Sequence, residues 1–342
     1  MASEAPPFWW EKPDWRSAAL WPLSWVYGRV AGRQLRRGER RKVDAPVLCV
    51  GNFTVGGSGK TPVAIAMAGQ AKRMGLKPGI LSRGHGGSFS EPHVVDAAHD
   101  AARHVGDEPL LLAEHAPVAV SPDRAAAAAL LIGRHGCDFL IMDDGFQSAR
   151  IHMDYALIVV DARYGLGNGR VIPAGPLRAR LVDQMHYASA LLRMGEGTAA
   201  DVLVRRAARA GKPVFDARVR PRDAAAIAGR QFVAFAGIGH PEKFFDSVSQ
   251  AGGTVVVKRP FPDHHVYAPD ELADLAATAG KAGLGLVTTA KDAARLRHGG
   301  VPRDFLDRLS VLEIEAVFEP EHAPERIVDE TLASWRRRRL RG

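Results

Sequence analysis

A chain of 342 residues, 46% hydrophobic and 25% charged, has the length for one large core or two smaller ones and the make-up of a globular protein. Its 46 Lys and Arg against 38 Asp and Glu leave a net charge of +8, which favours an anionic partner: a nucleotide, a nucleic acid or an acidic membrane surface. The two cysteines, Cys49 and Cys137, fall in predicted buried strands without metal-ligand spacing, which excludes a disulfide framework and suits a reducing compartment.

The amino-terminal stretch holds five of the six tryptophans, Trp9, Trp10, Trp15, Trp21 and Trp25, interleaved with Leu20, Leu23, Val26, Tyr27 and Val30. Arg29, Arg33, Arg36, Arg37, Arg40 and Arg41 follow at once. An aromatic amphipathic segment ending in a basic cluster suits a helix lying in a membrane interface, with rings at headgroup depth and guanidiniums on anionic lipid. A helix packed on its own domain with a solvated basic end has the same composition. Pro22 is expected to break it into two short pieces. The start of the chain lacks the order of a secretory signal, and no 18-residue apolar run is present to span a bilayer.

Val47 to Val50 reads as a buried strand, Thr54 to Thr61 (TVGGSGKT) as a glycine-rich turn, and Pro62 to Met67 as the start of a helix. Strand, glycine turn and Gly-Lys-Thr together make a phosphate cradle. Thr54, Val55, Gly56, Gly57, Ser58 and Gly59 present backbone N–H groups, Lys60 brings a mobile positive charge, and the Thr61 hydroxyl is placed for Mg²⁺. Thr54 stands where the usual pattern has its first glycine, and a chance Gly-Lys-Thr in a structural turn is the competing reading.

Gly75 is expected past the helix end, Lys77 to Ser82 is the next strand, and Ser82 to Gly87 is a basic loop, with Arg83, where a strand's carboxyl end meets a ligand crevice. Pro92 to Val95 is a further strand. In Gly106-Asp107-Glu108-Pro109 the acids either cap a short helix or serve chemistry. Val118 to Ser121, a helix from about Asp123 to His135, and a strand from Cys137 to Met142 follow. That last strand ends in Asp143-Asp144-Gly145-Phe146-Gln147, and an apolar strand ending in acid beside a P-loop suits Mg²⁺ binding. Two turn aspartates before a glycine are the plainer alternative. After a strand from Ala156 to Val160, the Gly- and Pro-rich stretch from Gly165 to Arg178 cannot be regular. Its Arg170 and Arg178 either grip a substrate phosphate or sit in a structural loop.

A second α/β pattern begins near Phe232: strand Phe232 to Ala236, a helix to about Ser249, strand Thr254 to Lys258, a helix from Ala268 and strand Leu284 to Thr289. The expected division is a membrane-interface segment over 1–42, a P-loop core over 43–225 and a second lobe over 226–342. Between strand and helix lie Asp263, His264 and His265. Adjacent side chains diverge, so one histidine oriented by a carboxylate is more economical than a shared metal.

Taken together these motifs resemble the tetraacyldisaccharide 4'-kinase (lipid A 4'-kinase) family, which carries threonine at the first-glycine position. The shared motifs are the P-loop, Ser82-Arg83-Gly84, Gly106 to Pro109, Asp143 to Gln147, Pro173 to Arg178, Phe261 to His264, and Thr288-Thr289 with Lys291-Asp292. The resemblance implies a mostly parallel P-loop NTPase-type sheet flanked by helices, a smaller α/β lobe and an amphipathic amino-terminal helix. It implies transfer of the ATP γ-phosphoryl group, with Mg²⁺, to the 4'-hydroxyl of tetraacyldisaccharide 1-phosphate at the cytoplasmic face of the inner membrane, giving lipid IVA. By the same resemblance Asp107 takes the hydroxyl proton with His264 supporting it, and Ser58, Lys60 and Thr61 hold phosphates and metal. Glu108, Asp144 and Gln147 are metal-shell candidates, and Asp143, Asp263, Arg83 and Arg178 position substrate. His85, Ser148, Ala179 and Ala290 depart from the usual family residues, so an acid beside Arg178 is missing.

Two rivals differ in class. A membrane-peripheral ATPase or GTPase switch leaves the second lobe and Asp263-His264 without a task. A nucleic-acid binder lacks a recognised module, because the arginines cluster with tryptophans at the chain ends. A monomer without nucleic acid is therefore expected.

Overall fold

The computed structural model describes residues 5–84, 87–89, 91–148, 150–297 and 301–341, the side chain of Arg341 excepted. Among them, thirteen strands form two sheets. In chain order they are β1 (Val47–Gly51), β2 (Pro78–Ser82), β3 (His93–Val94), β4 (Val118–Val120), β5 (Phe139–Asp143), β6 (Tyr155–Asp161), β7 (Ala190–Met194), β8 (Val214–Pro221), β9 (Gln231–Ala236), β10 (Thr254–Pro260), β11 (Gly285–Thr289), β12 (Leu309–Leu312) and β13 (Ile314–Glu319).

The large sheet runs β13-β8-β7-β6-β1-β5-β2-β4-β3 and the small one β10-β9-β11-β12. Every pairing is parallel except at the two edges of the large sheet, where β3 and β13 run antiparallel. The mixed α/β architecture with a mostly parallel sheet is thus as expected. β1, β2 and β5 are buried along their whole length, which is why they read as continuous apolar runs rather than alternating ones. Two apolar layers cover the large sheet: Val63, Met67, Ile80, Phe139 and Leu157 lie in one, and Cys49, Phe53, Met142, Phe146 and Ile158 in the other. Cys137 is buried but precedes β5 instead of lying in it.

The expected second lobe over 226–342 needs correction at its end. β13 pairs with β8 from Ile314 opposite Pro221 to Glu319 opposite Asp216, and the helix Ala323–Arg341 buries Ala323, Ile327 and Val328 in the same layer as Val63 and Met67. The chain leaves the first lobe after β8, builds the small sheet, and returns. Nothing local distinguishes a strand that continues one sheet from one that goes back to another.

The amino-terminal segment is a short helix, Trp15–Ala19, capped by Asp14, then a helix Trp21–Arg37. Pro22 sits in the first turn of the longer helix, where its missing N–H costs nothing, so it starts that helix instead of splitting it. The inward face is Ser24, Gly28, Gly32 and Leu35. Ser24 Oγ donates to Val171 O (2.7 Å) and accepts from Ala174 N (2.9 Å), and a Cβ on Gly32 would lie 2.4 Å from Asp183 Oδ2. Small residues face the protein and large apolar ones face out: Trp21 is 54% exposed, Leu23 61% and Val30 62%.

Candidate active site

The carboxyl ends of β1, β5 and β6 meet at one point of the large sheet, and the P-loop leaves β1 there. Gly51 lets the strand end pass Phe146, whose Cβ a side chain at 51 would meet at 2.6 Å. Asn52 Nδ2 donates to Ser58 Oγ (3.2 Å), tying the two ends of the loop. Gly59 is left-handed (φ 85°) and starts the helix Lys60–Arg73, so Lys60 and Thr61 lie in its first turn. A side chain at Gly57 would meet nothing within 4 Å, which leaves the mouth of the cradle open.

The proline loop braces this cradle from outside. Val55 N donates to Pro176 O (2.9 Å), Thr54 bridges Leu177, and Arg178 Nε donates to Thr54 O (3.1 Å). Thr54 therefore supports the loop's flank. Arg178 also grips Asp144 with two parallel bonds of 2.8 and 2.9 Å, and Lys60 Nζ lies 3.7 Å from the same carboxylate. Burial pushes the Asp144 carboxyl up, but these two cations outweigh it and hold it low. Its neighbour Asp143 goes the other way: complete burial, then the charge of Glu108, push it up to about 7, and its Oδ1 has no hydrogen-bond partner among the described residues.

Asp107 opens the short helix Asp107–Ala113, but neither it nor Glu108 caps it: the cap position is Gly106 and no side chain bonds there. Instead Asp107 Oδ1 lies 3.2 Å from His264 Nδ1, from the second lobe, and Oδ2 accepts from Arg295 Nε (3.1 Å) and Nη2 (2.8 Å). Burial alone would raise the Asp107 carboxyl; the hydrogen bond with His264 and the charges of Arg295 and Lys291 overcome this and hold it below the usual carboxylate range. The same bond raises His264, which keeps its proton to higher pH than an ordinary imidazole. Asp263 lies 3.9 Å from His264 Nε2. His265 turns away to Glu271 (2.8 Å), so the two histidines do not share a ligand.

Only two described residues other than glycine have positive φ, Asp144 at 49° and His264 at 59°. Both carry expected site roles. Such backbone is costly without glycine and persists where the surroundings over-determine it.

The remaining expected site residues are distributed as follows. Glu108 is paired with Lys291 of the second lobe, whose charge lowers it first of all. Gln147 Nε2 donates to Asn52 O (2.6 Å) and to Gln184 Oε1 (2.8 Å), which makes it a tie beneath the P-loop. Arg83 is exposed just after β2, and Arg170 bonds Ser17 O (3.2 Å), a structural contact. Ala179 is buried beside Arg178, whose charge Asp144 already meets, so no acid is required at 179. Ser148 Oγ bonds Gly145 O (2.8 Å), Ala290 opens the helix Ala290–Arg297, and His85 lies outside the described residues. Residues that motif reading passed over are Asn52, Gln184 and Arg295. Beside the loop, Trp10, Tyr164 and His240 line a cleft with Thr54 to Ser58, the Tyr164 and His240 rings stacked 5.1 Å apart.

The profile of the family described as Tetraacyldisaccharide-1-P 4'-kinase matches residues 16–333. The chain belongs to that family. Among relatives, the tetraacyldisaccharide 4'-kinase of Mesorhizobium japonicum is 74% identical with 100% of both chains covered, and that of Brucella canis 58% identical with 99% of both covered. The crystal structure of LpxK from Aquifex aeolicus in complex with ATP superposes with a TM-score of 0.71 over 92% of this chain and 99% of that one, at 24% identity, and so shares the fold. Family membership makes the chain a kinase and identifies the fold as a P-loop kinase fold.

Proposed function

We propose that the protein transfers the γ-phosphoryl group of ATP to the 4'-hydroxyl of tetraacyldisaccharide 1-phosphate, forming lipid IVA. The observation that carries this is the pairing of buried Asp107 with the partly exposed His264, one member from each lobe, next to Glu108, which together with Asp143 feels the charge of the P-loop lysine. A nucleotide switch has no use for a proton acceptor assembled across two lobes.

The residues present suit Mg²⁺ and a nucleoside triphosphate. Asp143 offers an unpartnered buried oxygen, Gly56 to Thr61 offer an open cradle, and a magnesium ion bound mainly through waters and phosphates needs no all-protein cage. Thr61, Asp143 and Asp144 would hold the metal. Glu108 and Gln147 support the site through Lys291 and Asn52. Bound together, metal and nucleotide supply the phosphoryl group and neutralise its charge. Lys60 draws developing negative charge from the transferring group, which releases it from Asp144. Asp107 takes the proton from the attacking hydroxyl and His264 orients and supports it. Asp263, Arg83 and Arg178 flank this path, Arg178 by holding Asp144 in its left-handed turn.

We take the acceptor to be met at the cytoplasmic face of the inner membrane by the outward apolar face of the helix Trp21–Arg37, with its arginines on anionic lipid. No helix of the described residues is long and apolar enough to cross a membrane. One chain supplies both members of the proton-accepting pair, which suits a monomer.

The test is purified protein with γ-labelled ATP, Mg²⁺ and detergent-dispersed acceptor. Label is expected in the lipid, dependent on the acceptor and lost in Lys60→Ala; phosphate release without labelled lipid would sink the reading. A second expectation concerns the membrane. Trp21→Ala with Trp25→Ala should cut flotation with anionic vesicles by about tenfold or more, because each ring removes a transfer term of roughly 1.5–3 kcal/mol. Unchanged flotation of a stable double variant counts against this docking face.

A further inference from the structure

Apart from Lys291, the motif Thr288-Thr289-Ala290-Lys291-Asp292 has no role in the chemistry described so far, yet it sits at the interface between the lobes. Asp292 is fully buried and accepts bonds from Gly237 N (3.2 Å), Thr289 Oγ1 (2.6 Å) and Tyr267 OH (2.8 Å). It in turn holds Arg295, whose Nη1 donates to Asp292 Oδ1 (2.7 Å) and His265 O (3.3 Å). Nη2 donates to Asp107 Oδ2 (2.8 Å) and Gly237 O (3.1 Å), and Nε to the same Oδ2 (3.1 Å). All five donors of the guanidinium are thereby used, in a side chain only 8% exposed.

A carboxylate oxygen has two lone pairs. Arg295 fills both on Asp107 Oδ2, so the acceptor capacity left on Asp107 is on Oδ1, the oxygen that also meets His264. We propose that Arg295 is a positioning residue for the phosphoryl transfer: anchored by Asp292, it fixes the Asp107 carboxylate so that Oδ1, and not Oδ2, faces the acceptor hydroxyl. Lys291, one turn earlier, holds Glu108, so this helix orients two consecutive acids of the first lobe from the second. The inference rests on the kinase reading given above.

The experiment compares kcat and KM for ATP in the lipid transfer assay for wild type, Arg295→Gln, Arg295→Lys and Arg297→Ala. Arg297 pairs with Glu114 across the same two helices but is half exposed, and it controls for lobe docking alone. Misplacing a reacting group by about 1 Å costs on the order of 10²-fold. Arg295→Gln is therefore expected to lose about 10²-fold in kcat with KM for ATP within about threefold. Arg295→Lys keeps a charge between Asp107 and Asp292, and hence the fold. Lacking the planar fork, it is expected to lose about tenfold. Arg297→Ala stays at the wild-type rate. In an Asp107→Asn background the Arg295→Lys loss should shrink below about threefold, since the two act through one group. If Arg295→Gln does not fold, the lysine cycle decides. Wild-type kcat in Arg295→Lys, an undiminished loss in the Asp107→Asn background, or an equal loss in Arg297→Ala overturns the assignment. A wild-type enzyme that labels no lipid overturns the kinase reading instead.

Discussion

Asp107→Asn is expected to lower kcat by roughly 10²–10⁴-fold while leaving nucleotide affinity unchanged, the range that general-base removal typically gives. The asparagine keeps the shape of the side chain but offers no acceptor basic enough for the hydroxyl proton. The P-loop lies on a different strand end, so binding of ATP has no reason to fall. The substitution also removes a charged partner of His264 and one of the two carboxylates that meet Arg295. Because the native carboxyl is held below its ordinary value of 3.8, the stability it contributes is fully present above that pH and fades only as pH falls below it. The variant should therefore be less stable than wild type throughout the neutral range. Saturating-rate kinetics, a nucleotide titration and a melting curve at pH 7 check the three parts, and preserved kcat would remove Asp107 from the proton path.

Asp143→Asn should do the reverse to stability and the same to activity. Burial, then the charges of Glu108 and Asp144, raise this carboxyl from 3.8 to about 7, which at 1.36 kcal/mol per pH unit corresponds to up to roughly 4 kcal/mol of native-state strain. Above pH 7 the buried carboxylate is charged in the folded protein and the full cost is present. As pH falls through 7 the folded state takes up a proton that the unfolded chain does not, and the cost disappears towards pH 4. The nucleotide-free asparagine variant is therefore expected to melt several degrees higher than wild type at pH 8, with the gap narrowing below pH 7 and closing only near pH 4. Activity should be largely lost, since the negative charge is what a bound magnesium ion calls for. Equal melting temperatures at pH 8 would show that the carboxylate is not strained.

Candidates that are marked by their immediate neighbours were legible in the sequence. Gly-Lys-Thr after an apolar strand, the acids ending β5 and the Asp263-His264 element all announce themselves locally, and the structure brings Lys60 against Asp144 and His264 against Asp107. Arg295 could not be found that way. In the stretch Ala293-Ala294-Arg295-Leu296-Arg297 it looks like one of two surface arginines on a short helix, and its partner Asp107 is 188 positions earlier. Burial separates it from Arg297, and burial is a property of the fold. The proline loop was readable as irregular but not as a brace, because its bond from Val55 N is accepted by the Pro176 carbonyl, a group common to any sequence, and nothing local says that Arg178 reaches back to the Thr54 carbonyl. The amino-terminal helix left two readings open because composition does not say which face is inward. Ser24, Gly28 and Gly32 facing the protein settle the orientation of that helix.

The return of β13 and the final helix to the first lobe bears on how the protein is made. Synthesis from the amino terminus releases the P-loop and eight strands of its sheet, then the whole of the second lobe, before the outer neighbour of β8 emerges. Until the last residues clear the ribosome, β8 presents an open hydrogen-bonding edge, and Val63 and Met67 lack the cover of Ile327 and Val328. The nucleotide-binding half thus matures after the lobe inserted into it, and a nascent or carboxyl-terminally truncated chain carries a β edge that a chaperone, or another unfinished copy, is free to pair with.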